Sequence, residues 1–218
     1  TDRGLMLATI AKAFSVPEIR RKLLFVAAML AIYRLGAYIP APGVDVDAVK
    51  DLESQLTGSN ILGFLNLFSG GSLSRLSLFA LGIMPYITAS IILQLMTVVV
   101  PSLERLQKEG ETGQQKITQY TRYLTVALAF AQSFAYVFLF NSLAAGGVSP
   151  IGDLTFPKVS LIVICLTAGT VLLMWIGELI TQRGIGNGIS LLIFASIVSG
   201  VLPGISTWWN NPDQVFVV

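Results

Sequence analysis

Three groups of residues have types and spacing that invite a chemical reading. Gly184-Ile185-Gly186-Asn187-Gly188 has the glycine density of a phosphate-cradling loop. Such a loop needs a preceding strand and a GK[ST] ending, and this one has neither. It falls between two apolar runs, so a tight turn is the better reading. Glu178 ends an apolar run, which suits a membrane-border residue more than a proton carrier. Arg34 lies well inside another apolar run. A mid-membrane arginine costs about 2.5–3.5 kcal/mol on insertion scales. It must face the bundle interior, meet partners or snorkel outward, and its place near the outer end favours pairing or snorkelling.

Reaction chemistry has little else to build on. The chain has no histidine, which removes His-based triads, His-ligated zinc and HExxH sites. No acid pair sits at helix depth, so an intramembrane enzyme is a poor reading. The single cysteine, Cys165, forms no internal disulfide and says nothing about compartment. No catalytic residue, metal ligand or cofactor is expected.

The elements around these residues read as membrane helices. Of 218 residues, 54% are hydrophobic and 12% charged, and the mean hydropathy is +0.74. A soluble domain carries roughly 25% charged residues; half that cannot keep a globule wet but suits a bundle facing lipid. The net charge of +2 is too small to signal nucleic-acid binding. A spanning helix needs roughly 20 mostly apolar residues. Five stretches qualify or come close: 23–39, 76–100, about 119–142, about 158–181 and 188–205. A sixth begins near Gln214, where the sequence reads as cut. The run after Arg20-Arg21-Lys22 lacks a small-residue cleavage pattern and reads as a retained anchor. Against Lys50 and Lys158 in the other loops, Arg3, Lys12, Arg20, Arg21 and Lys22 precede the first run, Arg105, Lys108, Lys116 and Arg122 lie between the second and third, and Arg183 lies between the fourth and fifth. The positive-inside rule then puts these segments and the N-terminus in the cytoplasm. Residues 1–22 read as a cytoplasmic segment, 23–205 as the transmembrane unit and 206–218 as an outer loop with the start of a sixth helix. Trp208-Trp209 and Tyr120/Tyr123 fall at the two borders, as belt residues do.

Two features depart from a plain bundle. Residues 59–75, SNILGFLNLFSGGSLSR, form a half-length apolar run broken by Gly70-Gly71. Irregular backbone at membrane depth survives only inside protein or beside a watery cavity. The segment is therefore either part of a path or binding site or a re-entrant surface hairpin. Ile83, Ile87 and Ile91 share one face of the second run, with Pro85 expected to kink it. Such a stripe is ordinarily packing; here it follows the broken segment. The polar stretch 103–123 mixes charge signs, and fits either a docking surface or a solvated loop.

Four strings carry a closer likeness: 20–44 (RRKLLFVAAMLAIYRLGAYIPAPGV), 64–95 (FLNLFSGGSLSRLSLFALGIMPYITASIILQL), 108–123 (KEGETGQQKITQYTRY) and 177–198 (GELITQRGIGNGISLLIFASIV). In order and over nearly the whole chain, they resemble the SecY family, in its bacterial form. The resemblance implies an all-α, polytopic membrane helix bundle. It would have about five transmembrane helices plus a short re-entrant plug helix, as one half of an inverted-repeat channel. It implies a bacterial inner-membrane, protein-conducting channel subunit that passes unfolded secretory polypeptides across and membrane segments sideways into lipid. Asn66, Phe68, Ser69, Gly70, Gly71, Ser72 and Arg75 fall at plug positions. Ile83, Ile87 and Ile193 fall at positions of the pore ring, and Thr88, Ile92 and Gln132 at the lateral gate. The implied partners are SecE, SecG, the SecA ATPase, the ribosome, signal peptides and translocating polypeptides, and membrane lipid. The alternative is half of a secondary transporter for a small solute, which also uses broken helices and inverted repeats. Such a transporter needs ionisable groups near the midplane, and the runs here offer mainly Ser, Thr, Gln and Ile.

Overall fold

A computed structural model describes residues 16–45, 48, 69–73, 75–143, 151, 152 and 154–210; side chains are described up to 200, except that of Leu143. Its helices are α1 (Pro17–Gly36), α2 (Met84–Val99), α3 (Pro101–Lys108), α4 (Glu111–Leu143), α5 (Phe156–Arg183) and α6 (Gly188–Asn210). Among the described residues every regular element is a helix, and the one extended contact is an antiparallel bridge between Pro40 and Ser77.

Proline sets where several helices begin. It occupies the first turn of α1, α2, α3 and α5, where its missing N–H would have no intrahelical partner anyway. Pro101 does more. A residue before proline is pushed out of the α region, and Val100 is extended, with φ −100° and ψ 111°. Val100 closes α2, donating its N–H to Met96 O at 2.8 Å, and opens α3. The chain bends there by 100°.

The expected second helix, 76–100, needs correction. The helix begins only at Met84, and residues 75–83 are turns. Pro85 therefore starts α2 and does not kink it. The turns persist because their backbone groups are satisfied. Ala41 N–H donates to Leu76 O and Leu78 N–H to Ile39 O, both at 2.9 Å, while Ala80 and Gly82 bond back to Ser77 and Phe79. Non-helical backbone enclosed in protein in this way is stable at membrane depth.

This turn segment joins two apolar cores. Leu76, Ala80 and Leu81 pack with Ala129, Val137 and Phe140 of α4 and Ile162, Val163 and Leu166 of α5. Phe79 and Ile83 pack with Val26 and Tyr33 of α1, Leu173, Ile176 and Ile180 of α5, and Leu192 of α6. Among the described residues two helices, α4 over Glu111–Ser142 and α5, are long and apolar enough to cross a bilayer, and a third span counts if the bent α2–α3 pair is one.

The glycine-rich turn after α5 is tight, as expected. Asn187 Oδ1 accepts the N–H groups of Ile189 and Ser190 at 3.0 and 3.3 Å, and Thr181 Oγ1 accepts that of Gly188 at 2.9 Å. The N–H groups at the start of α6, which a phosphate would use, are already committed. Gly188 sits so close to α5 that an added Cβ would overlap the Gly177 carbonyl.

Glu178 ties helices together. Arg122 Nε and Nη2 donate to its two carboxylate oxygens at 2.9 and 2.6 Å, joining α4 to α5. The Glu178 side chain is 12% exposed and that of Arg122 44%, so the two halves of the pair differ in how they tolerate loss. Arg122→Ala strands a carboxylate out of water and should cost roughly 1–3 kcal/mol, whereas Glu178→Gln leaves Arg122 half in solvent and should cost less than about 1 kcal/mol. Thermal unfolding of the two purified variants reads the difference, and equal losses would contradict the asymmetry.

Candidate functional site

The three sequence-predicted ring residues border one apolar core. Ile83 is buried in the core shared by α1, α5 and α6, and Ile87 and Ile193 pack against that core, half-buried. Exposure grades along the stripe from Ile83 at 7% to Ile91 at 51%. Ile83 caps α2 with φ −95° and ψ 0°, so the stripe starts on a turn and continues onto a helix.

Of the expected plug residues, Asn66 and Phe68 lie outside the described residues. Ser69, Gly70 and Ser72 are buried, Gly71 is half-buried and Arg75 is exposed. Gly70 and Gly71 take φ of +66° and +81°, a region that favours glycine. Gly70 needs glycine for space as well, since a Cβ there would stand 3.1 Å from Tyr33 Oη and 3.2 Å from Ser199 Oγ. Ser72 N–H donates to Ser69 O at 3.3 Å and Leu73 N–H to Ser69 Oγ at 3.0 Å, which folds residues 69–73 into a closed turn.

Two residues of α1 hold this turn. Arg34 Nη1 donates to Gly70 O at 3.0 Å and to Ser199 Oγ of α6 at 2.9 Å, while Nη2 donates to Tyr38 Oη at 3.1 Å. The deep arginine is therefore structurally paired, one of the outcomes its position predicts. Its partners are a carbonyl and hydroxyls. The neighbouring Tyr33 hydroxyl lies 2.6 Å from Ser196 Oγ and 3.5 Å from Ser69 O, and its ring stacks on Phe79 at 5.9 Å. The Ser196 hydroxyl spends its hydrogen on Leu192 O at 2.8 Å, so Tyr33 is the donor to Ser196. Tyr33, Ser196 and Ser199 are absent from the sequence-based set. The available signal was two serines three apart on an apolar helix, which puts both on one side.

Ser72 and Ser77 pose the converse problem. Both are fully buried, and among the described residues neither hydroxyl has a hydrogen-bond partner. A buried hydroxyl without a partner costs about 1–3 kcal/mol.

The candidate gate residues sit apart from this cluster's centre. Thr88 and Ile92 are half-buried on α2, and Gln132 is half-buried on α4. α2 packs along α4, and Thr88 Oγ1 donates to Met84 O of its own helix at 3.0 Å. An open apolar groove of about 540 Å³ lies elsewhere, lined by Phe130 of α4 and Ile164, Val171 and Trp175 of α5.

The arrangement is a branched apolar cluster, a glycine turn beside it, and a polar clasp holding the turn. Known proteins resemble this chain at two levels, in sequence and in fold. Protein translocase subunit SecY of Streptomyces galbus is 52% identical over 200 residues, covering 89% of this chain and 46% of that relative. The subunit of the same name from Corynebacterium glutamicum is 49% identical over 218 residues, covering 97% of this chain and 50% of its own length. The chain thus spans about half the length of the curated relatives it matches. Among solved structures, one described as a protein conducting channel superposes with a TM-score of 0.61 at 19% identity, covering 94% of this chain and 46% of its own. Sec61 in a canine ribosome-channel complex matches equally well. These two establish a shared fold. The SecY family model matches residues 77–217, a stretch that runs from the bridge at Ser77 through α2, α4, α5 and α6, and on that match the chain belongs to the SecY family.

Proposed function

We propose that this chain is the first half of a protein-conducting channel, one that passes unfolded polypeptides across a membrane and releases apolar segments sideways into lipid. The observation that carries the reading is the convergence of Ile83, Ile87 and Ile193 on one apolar cluster beside a buried glycine turn. Branched apolar side chains close a passage by excluding water, and apolar constrictions gate by dewetting. Their contacts are also indifferent to the sequence passing through.

In this reading residues 59–75 are the plug, and the chain contributes five spans, from 23–39 to 188–205, with its N-terminus cytoplasmic in a bacterial inner membrane. Residues 206–218 lead into the second half, which supplies the rest of the ring. α2 and α4 form one side of a lateral gate through Thr88, Ile92 and Gln132. The relatives' name, translocase subunit, supports this over a small-solute transporter. The ribosome-bound Sec61 neighbour supports a docking partner on the cytoplasmic face. SecE, SecG and SecA complete the proposed assembly, with energy supplied from outside the chain.

The test is photo-crosslinking. A photoreactive residue at position 87 of the complete protein, in vesicles with a secretory precursor arrested midway, should crosslink to that precursor. Crosslinks at control positions with none at 87 would remove the stripe from the path.

A further inference from the structure

We propose that Tyr33 and Arg34 are positioning residues, forming with Ser196 and Ser199 a latch that holds the Ser69–Leu73 turn closed and opens when α6 shifts. The proposal rests on the reading of residues 59–75 as a plug and of Ile193 as a ring member, and it deepens that reading by naming what ties the two together.

The geometry makes one guanidinium nitrogen the junction of three elements. Arg34 Nη1 has two hydrogens; one goes to the Gly70 carbonyl and the other to Ser199 of α6. Tyr33 gives its hydrogen to Ser196 of the same helix and stays within 3.5 Å of the Ser69 carbonyl. α1, the turn and α6 are therefore held at one point. Ile193, Ser196 and Ser199 follow at successive steps of three on α6, so they share one side of the helix. A polypeptide that displaces Ile193 must carry Ser196 and Ser199 with it. Arg34 and Tyr33 then lose their α6 partners, and the turn loses the clasp that faced it.

The turn is also biased toward leaving. Its docked position buries the Ser72 and Ser77 hydroxyls with no hydrogen-bond partner among the described residues, and moving out gives such groups water. Clasp and bias act with opposite sign, and this separates a latch from plain packing.

The experiment uses the complete channel, with Cys165→Ala and a Ser72→Cys reporter, exposed on its outer side to a membrane-impermeant maleimide. Ser72 is fully buried, so labelling reports departure of the turn. Arg34→Met should raise the labelling rate about tenfold, the change expected from losing one charge-assisted hydrogen bond. Tyr33→Phe should raise it less, because the ring keeps its stack on Phe79. Arg34→Lys should fall between wild type and Arg34→Met, and Ser77→Ala should slow labelling. A second reporter, Ser133→Cys, buried on α4, should stay unlabelled throughout. Unchanged labelling in both Arg34→Met and Tyr33→Phe overturns the latch, and so does a parallel rise at position 133, which would mean general loosening. Should Arg34→Met fail to accumulate, Tyr33→Phe, which removes a single oxygen, decides alone. Resting ion conductance is measured alongside. Faster labelling with unchanged conductance would uphold the latch and sink the plug reading.

Discussion

Replacing Ile83 and Ile87 together by serine should raise the resting ion conductance of the complete channel roughly tenfold or more in planar bilayers. Complete removal of an isoleucine side chain from water is worth about 1.5–3 kcal/mol. Ile83 is nearly buried and Ile87 half-buried, so each contributes part of that to a dry, closed state. A loss of about 1.4 kcal/mol is a tenfold shift in an equilibrium. Serine also places hydroxyls where water would gather, so the two effects add. Ile91→Ser supplies the control. It lies on the same stripe but is half in the open, and should change conductance little. A double variant as tight as wild type would make the cluster mere packing.

Gly169→Ala should lower stability by roughly 2–4 kcal/mol, since overpacking is compounded by a strained backbone hydrogen bond. A Cβ at Gly169 would overlap the carbonyl of Leu78. A side chain could rotate away, but this is backbone, fixed by the Leu78 N–H bond to Ile39. The turn segment 75–83 would have to leave α5, opening both cores. Ile164→Ala, on the 61% exposed face of the same helix, should cost under about 1 kcal/mol by comparison. Membrane accumulation and thermal unfolding in detergent read both. If Gly169→Ala is as mild as Ile164→Ala, the close approach of α5 to the turn segment is wrong.

How far residues alone foretell this arrangement depends on what kind of signal each feature leaves. Length and apolarity leave a strong one: the runs at 119–142 and 158–181 lie within α4 and α5, each extended by polar residues that hydropathy discounts. The glycine-rich turn was legible because Asn187 and its flanking glycines have conformational roles that follow from their types. The run at 76–100 was misread for a physical reason. Leu76 to Ile83 are apolar because they are buried, and a buried turn is as apolar as a buried helix. Pro85 was ambiguous in the same way, since the same ring that kinks a helix from inside will start one from its first turn. Arg34 could be expected to find partners but not which. Its acceptors are the Gly70 carbonyl and the hydroxyls of Ser199 and Tyr38, and none carries a complementary charge that would have marked it. The Tyr33–Ser196 bond joins residues 163 apart, and nothing local in either helix records it.

The right-angled joint at Val100 has a mechanical consequence. A helix of eight residues is about 12 Å long, and α3 stands out from the end of α2 as the arm of a crank stands out from its shaft. Force along the shaft of α2 would only slide it, but force across α3 becomes torque about the α2 axis. Rotation about that axis is the motion that turns Ile87 toward or away from Ile193 without moving either end of the helix far. α3 has no buried residue but packs against α4, so a push on the arm is shared with the start of α4.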